Sequence, residues 1–289
     1  MAKKKLLTAA MSDPVELDAL IAARLEIAHS AATALVVRGA VQVDGRRASD
    51  PNAQIVPGAR LTVYLPEDAA ASDEPAIVFA FRDAFVAVVD KPAGMPSQAT
   101  RADAASALDA RVQAELPDAR MMHRLDRDAS GLVLFALDPD ARAPLQRALE
   151  LGKIDRRYVA VVSGHLEGEG RIALRIGRDA HDERRRLAHP ESTDTGQAAV
   201  TLWKALRHGA TSTVLELTLE TGRTHQLRVH LSALGHPILG DPRYGPPPRP
   251  IGGASRLMLH ALSLSVTAGR PYEFTAEPPR DFAAVLASL

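Results

Sequence analysis

Short runs rich in β-branched and aliphatic residues recur along most of the chain, and helix-length segments separate only some of them. Residues 77–80, 85–89, 133–136, 158–162, 198–202, 214–219 and 262–266 are such runs, with the length and chemistry of buried or half-buried strands. Helical spacing is sparser. Ala105, Leu108, Val112 and Leu116 form one apolar stripe, and a short helix is expected around residues 145–149. Many strands with few helices, and no regular β–α alternation, predict an α+β architecture.

The first part of the chain has a pattern of its own. Leu17, Ile21 and Leu25 recur at helical spacing, and Ser30 can cap a second helix carrying Ala34, Leu35 and Val37. Val41-Gln42-Val43 then alternates into the hairpin signal Asp44-Gly45, and Pro57-Gly58 precedes a strand at 61–64. Residues 15–65 therefore read as a compact module and the apolar-poor stretch 66–75 as a linker. A second domain is expected over 76–289. The Pro246-to-Pro250 run followed by Gly252-Gly253 reads as an irregular surface loop.

The composition narrows the chemistry. With no cysteine, disulfides, thiol nucleophiles and thiolate metal sites are excluded. No apolar run approaches the ~20 residues needed to cross a bilayer, and the N-terminus lacks a signal-peptide pattern; a cytoplasmic protein with no membrane partner is expected. Lys plus Arg and Asp plus Glu both number 35, so any nucleic-acid site must come from local clustering. Arg171, Arg175, Arg178 and Arg184-Arg185-Arg186 make the clearest cluster, which reads equally as a solvated loop or as phosphate contacts. Phosphate-loop, dinucleotide and Gly-x-Ser-x-Gly signatures are missing. His225 and His230 are five apart, roughly 140° around a helix, so they cannot chelate one ion as an i, i+4 pair does. No metal or cofactor is expected.

The string His123-Arg124-Leu125-Asp126-Arg127-Asp128-Ala129-Ser130-Gly131-Leu132 places an acid between arginines at the entrance to the 133–136 run. Arg124 and Arg127 would keep Asp126 anionic and ready as a nucleophile, and would suit a polyanionic substrate. Arg-Leu-Asp-Arg alone is more often a surface ion-pair network worth ~0–1 kcal/mol. Tyr158 stands at a strand entrance behind Lys153, Arg156 and Arg157, an aromatic beside cations suited to a base and its phosphates, although a strand tyrosine is usually core. Gly222-Arg223-Thr224-His225-Gln226-Leu227-Arg228 joins a strand to a helix whose Leu227, Leu231 and Leu234 share a face, a natural anion site.

Taken together, these strings resemble the RluA-type family of RNA pseudouridine synthases. Its signature, His-Arg-Leu-Asp-x-x-Thr-Ser-Gly-Leu, departs here once, at Ala129. Asp90-Lys91-Pro92-Ala93-Gly94 is similar to its Lys-Pro-x-Gly motif, residues 153–164 to Lys-x-Tyr-x-Ala-x-Val-x-Gly in loosened spacing, and residues 222–230 to Gly-Arg-Thr-His-Gln-x-Arg-x-His. Residues 235–245 and 256–261 continue the match. Residues 15–65 resemble the alpha-L RNA-binding domain first known from a small-subunit ribosomal protein. Their charge departs from an RNA binder: Arg24, Arg38, Arg46, Arg47 and Arg60 face Glu16, Asp18, Glu26, Asp44 and Asp50.

The resemblance implies a mixed, largely antiparallel catalytic sheet and isomerisation of uridine to pseudouridine in RNA. It implies Asp126 as the catalytic acid, Tyr158 as the active-site tyrosine and Arg223 as the acid's basic partner. Arg124, Arg127 and Arg228 are expected to bind substrate, with Leu257 or Leu259 flooring the pocket. Large-subunit (23S) ribosomal RNA is the expected substrate and transfer RNA the alternative, acted on by a monomer. A non-catalytic RNA-binding protein and a glycosidase releasing the base remain open, as does the choice between an acylal adduct and a glycal.

Overall fold

The computed structural model describes residues 3–10, 16–27, 29–37, 39–65, 76–99, 106–245, 254–268 and 270–289. The expected linker at 66–75 and the proline-rich loop at 246–253 lie outside them. The chain divides into two compact units, one of Met1–Ala76 with Gln98–Arg111, the other of Ile77–Ser97 with Val112–Leu289.

In the first unit, β1 (Lys3–Thr8) precedes α1 (Leu17–Leu25) and α2 (His29–Val37), and β2 (Val41–Val43), β3 (Arg46–Arg47) and β4 (Arg60–Leu65) follow. Leu17, Leu20 and Ile21 of α1 and Leu35 and Val36 of α2 pack with Val41, Leu61 and Val63 in one apolar core. Asp44 and Gly45 both have positive φ, 48° and 79°, as a two-residue turn matched to strand twist requires. The sheet order is β1-β4-β2-β3. Strand β1 was not expected; its Lys3–Thr8 run pairs antiparallel with β4, so the sheet takes in residues ahead of position 15.

The remaining elements are β5 (Val78–Arg82), β6 (Val86–Lys91), α3 (Leu108–Glu115), β7 (Arg120–Met121), β8 (Ser130–Ala136), α4 (Pro139–Glu150), β9 (Asp155–Ser163), β10 (Glu169–Arg178), β11 (Arg186–Pro190), β12 (Gln197–His208), β13 (Ser212–Leu219), α5 (Gln226–Ala233), β14 (Leu259–Ala268), β15 (Arg270–Thr275) and α6 (Arg280–Ala287). Strands β5 to β15 form an 11-stranded sheet whose main path runs β11-β10-β12-β13-β9-β14-β8-β6-β5. Its pairings are antiparallel except β14 with β8. The α+β expectation therefore holds. Every residue of β8 is buried, and Leu132 and Leu134 pack with Val86, Val88 and Leu145 of α4.

Helix α4 is longer than the segment expected at 145–149. It starts at Pro139 because Asp138 caps it, accepting the Asp140 amide at 2.6 Å. The basic segment 171–186 is no simple loop, since β10 and β11 pair as a hairpin. Arg184 and Arg185 at its turn face Asp182 and Asp179 at 3.5 and 3.9 Å.

The β8–β14 junction explains the Ser-Gly pair of the signature string. Gly131 has φ 110°, and a Cβ there would stand 2.3 Å from the Ala261 carbonyl oxygen, so only glycine permits this backbone approach. Beside it His260 Nε2 faces the Ala276 carbonyl at 3.0 Å and therefore carries the proton, leaving Nδ1 to accept from the Ser130 hydroxyl at 3.0 Å.

Candidate active site

Asp126 sits in the loop between β7 and β8, and the residues on either side of it are held by the segment following β6. Ser97 Oγ bridges the backbone of Leu125, donating to its carbonyl at 2.7 Å and accepting its amide at 3.0 Å. The Arg127 carbonyl accepts from the Gly94 amide at 2.9 Å and from Lys91 Nζ at 3.0 Å. Lys91, at the end of β6, also donates to the carbonyls of Pro92 and Met95 at 2.9 and 2.8 Å. Burial pushes this lysine down to about 7, against the attraction of Asp126 and Asp128. The carboxylate thus projects from a doubly anchored loop.

It meets α5. Arg228 Nη1 lies 3.1 Å from Asp126 Oδ2, and the same guanidinium donates through Nε and Nη2 to the two oxygens of Asp241, each at 2.8 Å. Burial works against the Arg228 charge, but the hydrogen bonds to Asp241 and the field of Asp126 outweigh it and hold the group above its ordinary value. Asp241 is itself fixed, its Oδ1 accepting the amides of Arg243 and Tyr244 at 2.8 and 3.0 Å. The Tyr244 ring stacks under Arg228, 4.9 Å from the guanidinium carbon.

Tyr158 enters from β9, where it pairs with Leu217 of β13 and Ala261 of β14. It is 4% exposed, yet it lines one cleft with Asp126, Arg228, Ala129 and Leu259. Burial raises its phenol above the ordinary value; Arg156 opposes the rise and Asp126 adds to it, so the ring is neutral at physiological pH. A carboxylate held by a clamped arginine, next to a neutral aromatic in an apolar wall, can attack or stabilise an electron-poor carbon beside a planar base.

Comparison with known proteins decides the family. Residues 85–233 match the RNA pseudouridylate synthase family, and the chain is 34% identical to the ribosomal large subunit pseudouridine synthase D of Neisseria meningitidis serogroup B across 94% of this chain and 78% of that one. The chain belongs to the RNA pseudouridylate synthases. It is an isomerase acting on RNA. The Escherichia coli K12 protein named ribosomal large subunit pseudouridine synthase D is 32% identical over 77% of this synthase and 70% of its own length. Among solved structures, human RNA pseudouridylate synthase domain containing 1 superimposes with a TM-score of 0.62 at 28% identity, over 73% of this chain and 86% of that one.

The structure redistributes the expected roles of the synthase's arginines. Arg223, expected to pair with the acid, is exposed and donates through Nε to the Ala198 carbonyl at 3.2 Å; it lines the cleft without pairing with Asp126, and Arg228 holds that place. The cause is where α5 begins: Gly222 to His225 form the turn, and His225 is the N-cap in a left-handed conformation. Arg228 is then inside the helix, facing the acid. Leu234, expected on the apolar face, is the C-cap residue and 40% exposed. Arg124 is exposed and donates to Thr224 Oγ1 at 3.0 Å, and Arg127 Nε donates to the Gly94 carbonyl at 3.0 Å. Leu259 lines the cleft, while Leu257 is fully buried and outside that lining.

Sequence reasoning missed Asp241, Tyr244 and Gln226. Gln226 ties the turn before α5 to β12: its Nε2 donates to the Val200 carbonyl and Thr201 Oγ1 at 2.9 and 3.0 Å, and its Oε1 accepts from Thr221 and the Arg223 amide at 2.8 and 3.0 Å. Gly240-Asp241-Pro242-Arg243-Tyr244 lies within the segment 235–245 that continues the family match, but nothing in the string itself assigns a role to Asp241 or Tyr244. The one available signal was its acid, which needs a cation once buried.

Proposed function

We propose that this synthase converts uridine to pseudouridine in large-subunit ribosomal RNA, with Asp126 as the catalytic acid, Tyr158 as the base-stacking residue and Arg228 as the acid's orienting partner. The observation that carries the assignment is the Asp126–Arg228 ion pair beside Tyr158 in one cleft. The target nucleotide must leave its stack for its glycosidic bond to reach that carboxylate. Asp126 then answers the positive charge that develops on the ribose as the bond to N1 breaks, the uracil turns, and the bond reforms at C5 with loss of the C5 proton. Tyr158, neutral and walled by Leu259, keeps the detached base against the sugar through stacking worth roughly 1–3 kcal/mol. The isomerisation is redox-neutral overall: C1′–N1 and C5–H break, C1′–C5 and N1–H form, and the proton lost at C5 is balanced by the one gained at N1.

The ribosomal target is favoured by the relatives named ribosomal large subunit pseudouridine synthase D. Arg124 and Arg127 at the loop, and Arg223 at the cleft wall, supply cations for substrate phosphates. The reading includes a monomer acting in the cytoplasm, residues 76–289 as catalytic domain and residues 15–65 as an RNA-binding module. Among the described residues no helix is long and apolar enough to cross a membrane. The test is a pseudouridine map of ribosomal and transfer RNA from cells with and without the protein. Loss confined to large-subunit ribosomal RNA supports the proposal, and loss confined to transfer RNA overturns it.

A further inference from the structure

Arg228 holds only one oxygen of Asp126. The other, Oδ1, faces Nε2 of His225 at 4.0 Å. His225 is one of three non-glycine residues with positive φ among the described residues, a backbone state of order 1–3 kcal/mol above the usual wells. It is the N-cap of α5 by position, yet its side chain makes no capping hydrogen bond. Its Nδ1 lies 2.7 Å from the Tyr244 hydroxyl, whose oxygen also accepts the Arg186 amide at 3.0 Å.

These contacts select a tautomer. A neutral imidazole carries one proton, and the carboxylate on the Nε2 side can only accept, whereas the Tyr244 hydroxyl can donate to Nδ1. Burial, more than any neighbouring charge, favours that neutral form. Asp126 from the signature loop draws a proton toward it, while burial, Arg228 on its own helix, Arg243 from the following turn and Arg186 from β11 oppose protonation, so the ring titrates below its ordinary value.

We propose that His225 is a positioning residue: its Nε2–H, fixed in that tautomer by the Tyr244 hydroxyl, orients Oδ1 of Asp126 toward the ribose. The inference rests on the reading of Asp126 as the catalytic acid. A carboxylate gripped through one oxygen can still swing about that contact, and a donor on the second oxygen sets its plane. At 4.0 Å the two atoms stand beyond hydrogen-bond reach, as catalytic contacts in substrate-free sites often do before the complex forms.

The test uses the full-length protein and a transcript of large-subunit ribosomal RNA, measuring RNA Kd and the single-turnover rate of pseudouridine formation. His225→Phe should lower the rate about tenfold or more, as misplacement of a reacting group does, with Kd changed less than about twofold. His225→Gln, which keeps an N–H donor, should recover most of that loss. Tyr244→Phe should slow the wild-type background but add nothing to His225→Phe, because it acts through the imidazole. A wild-type rate in His225→Phe, equal defects in the Phe and Gln variants, or additive defects with Tyr244→Phe would overturn the inference. Asp126→Asn, run in parallel, separates the two claims: turnover there defeats the reading of the acid, whereas an inactive Asp126→Asn beside a fully active His225→Phe defeats only the role of His225.

Discussion

Arg228 bridges two acids, Asp126 at 3.1 Å and Asp241 at 2.8 Å, with its guanidinium almost wholly buried between them. The fork geometry makes this possible: Nε and Nη2 grip Asp241 side by side, and Nη1 is left for Asp126. A lysine at this position has the charge without the fork. Arg228→Lys should therefore lower single-turnover rate about 100-fold or more, while Arg223→Lys should stay within about threefold of wild type. Comparable losses in the two variants would return Arg223 to the role first expected of it.

Asp241 has no exposed surface, so its removal strands a buried guanidinium. Asp241→Ala should cost about 3–5 kcal/mol of stability, read from urea denaturation, and slow turnover in the surviving fold because Arg228 loses its anchor. Full activity with unchanged stability would show that Arg228 is held by something else.

Gly131 and Ser130 bind β8 to β14 in different ways, and their substitutions should differ in size. Gly131→Ala forces a Cβ against the Ala261 backbone and should destabilise on the order of 3 kcal/mol or more. Ser130→Ala removes one buried hydrogen bond to His260, worth about 1 kcal/mol. Equal shifts in denaturation midpoint would contradict the close approach.

Lys91 supplies a pH signature. Its folded value near 7 lies below the ordinary 10.5, so between those pH values the unfolded chain binds a proton that the native one lacks, and stability gains a positive slope with pH. That slope, at most about 1.4 kcal/mol per pH unit, should be missing from Lys91→Met. Parallel stability–pH curves for the two proteins would mean that Lys91 remains an ammonium throughout, its three hydrogens met by three carbonyls.

Local strings made the Asp126 loop, the Tyr158 strand and the Asp44-Gly45 turn legible, because each depends on neighbours in sequence. The choice between Arg223 and Arg228 was not legible. Both follow Gly222 within one string, and which faces the acid depends on α5 starting at Gln226, set by contacts of Gln226 with Val200 and Thr201 across the sheet. Asp241 and Tyr244 reach Arg228 only through the tertiary fold. Strand β1 has no signal in sequence, because Lys3-Lys4-Lys5 gives no apolar alternation and its pairing with β4 defines it.

If Asp126 performs the chemistry on the ribose, its charge is indispensable to turnover. Asp126→Asn preserves the side chain's shape and removes its charge, so the measurement is single-turnover pseudouridine formation on large-subunit ribosomal RNA, with folding and RNA binding followed alongside. The expected outcome is a folded protein that binds this RNA and forms no detectable pseudouridine. Turnover near the wild-type rate would contradict it.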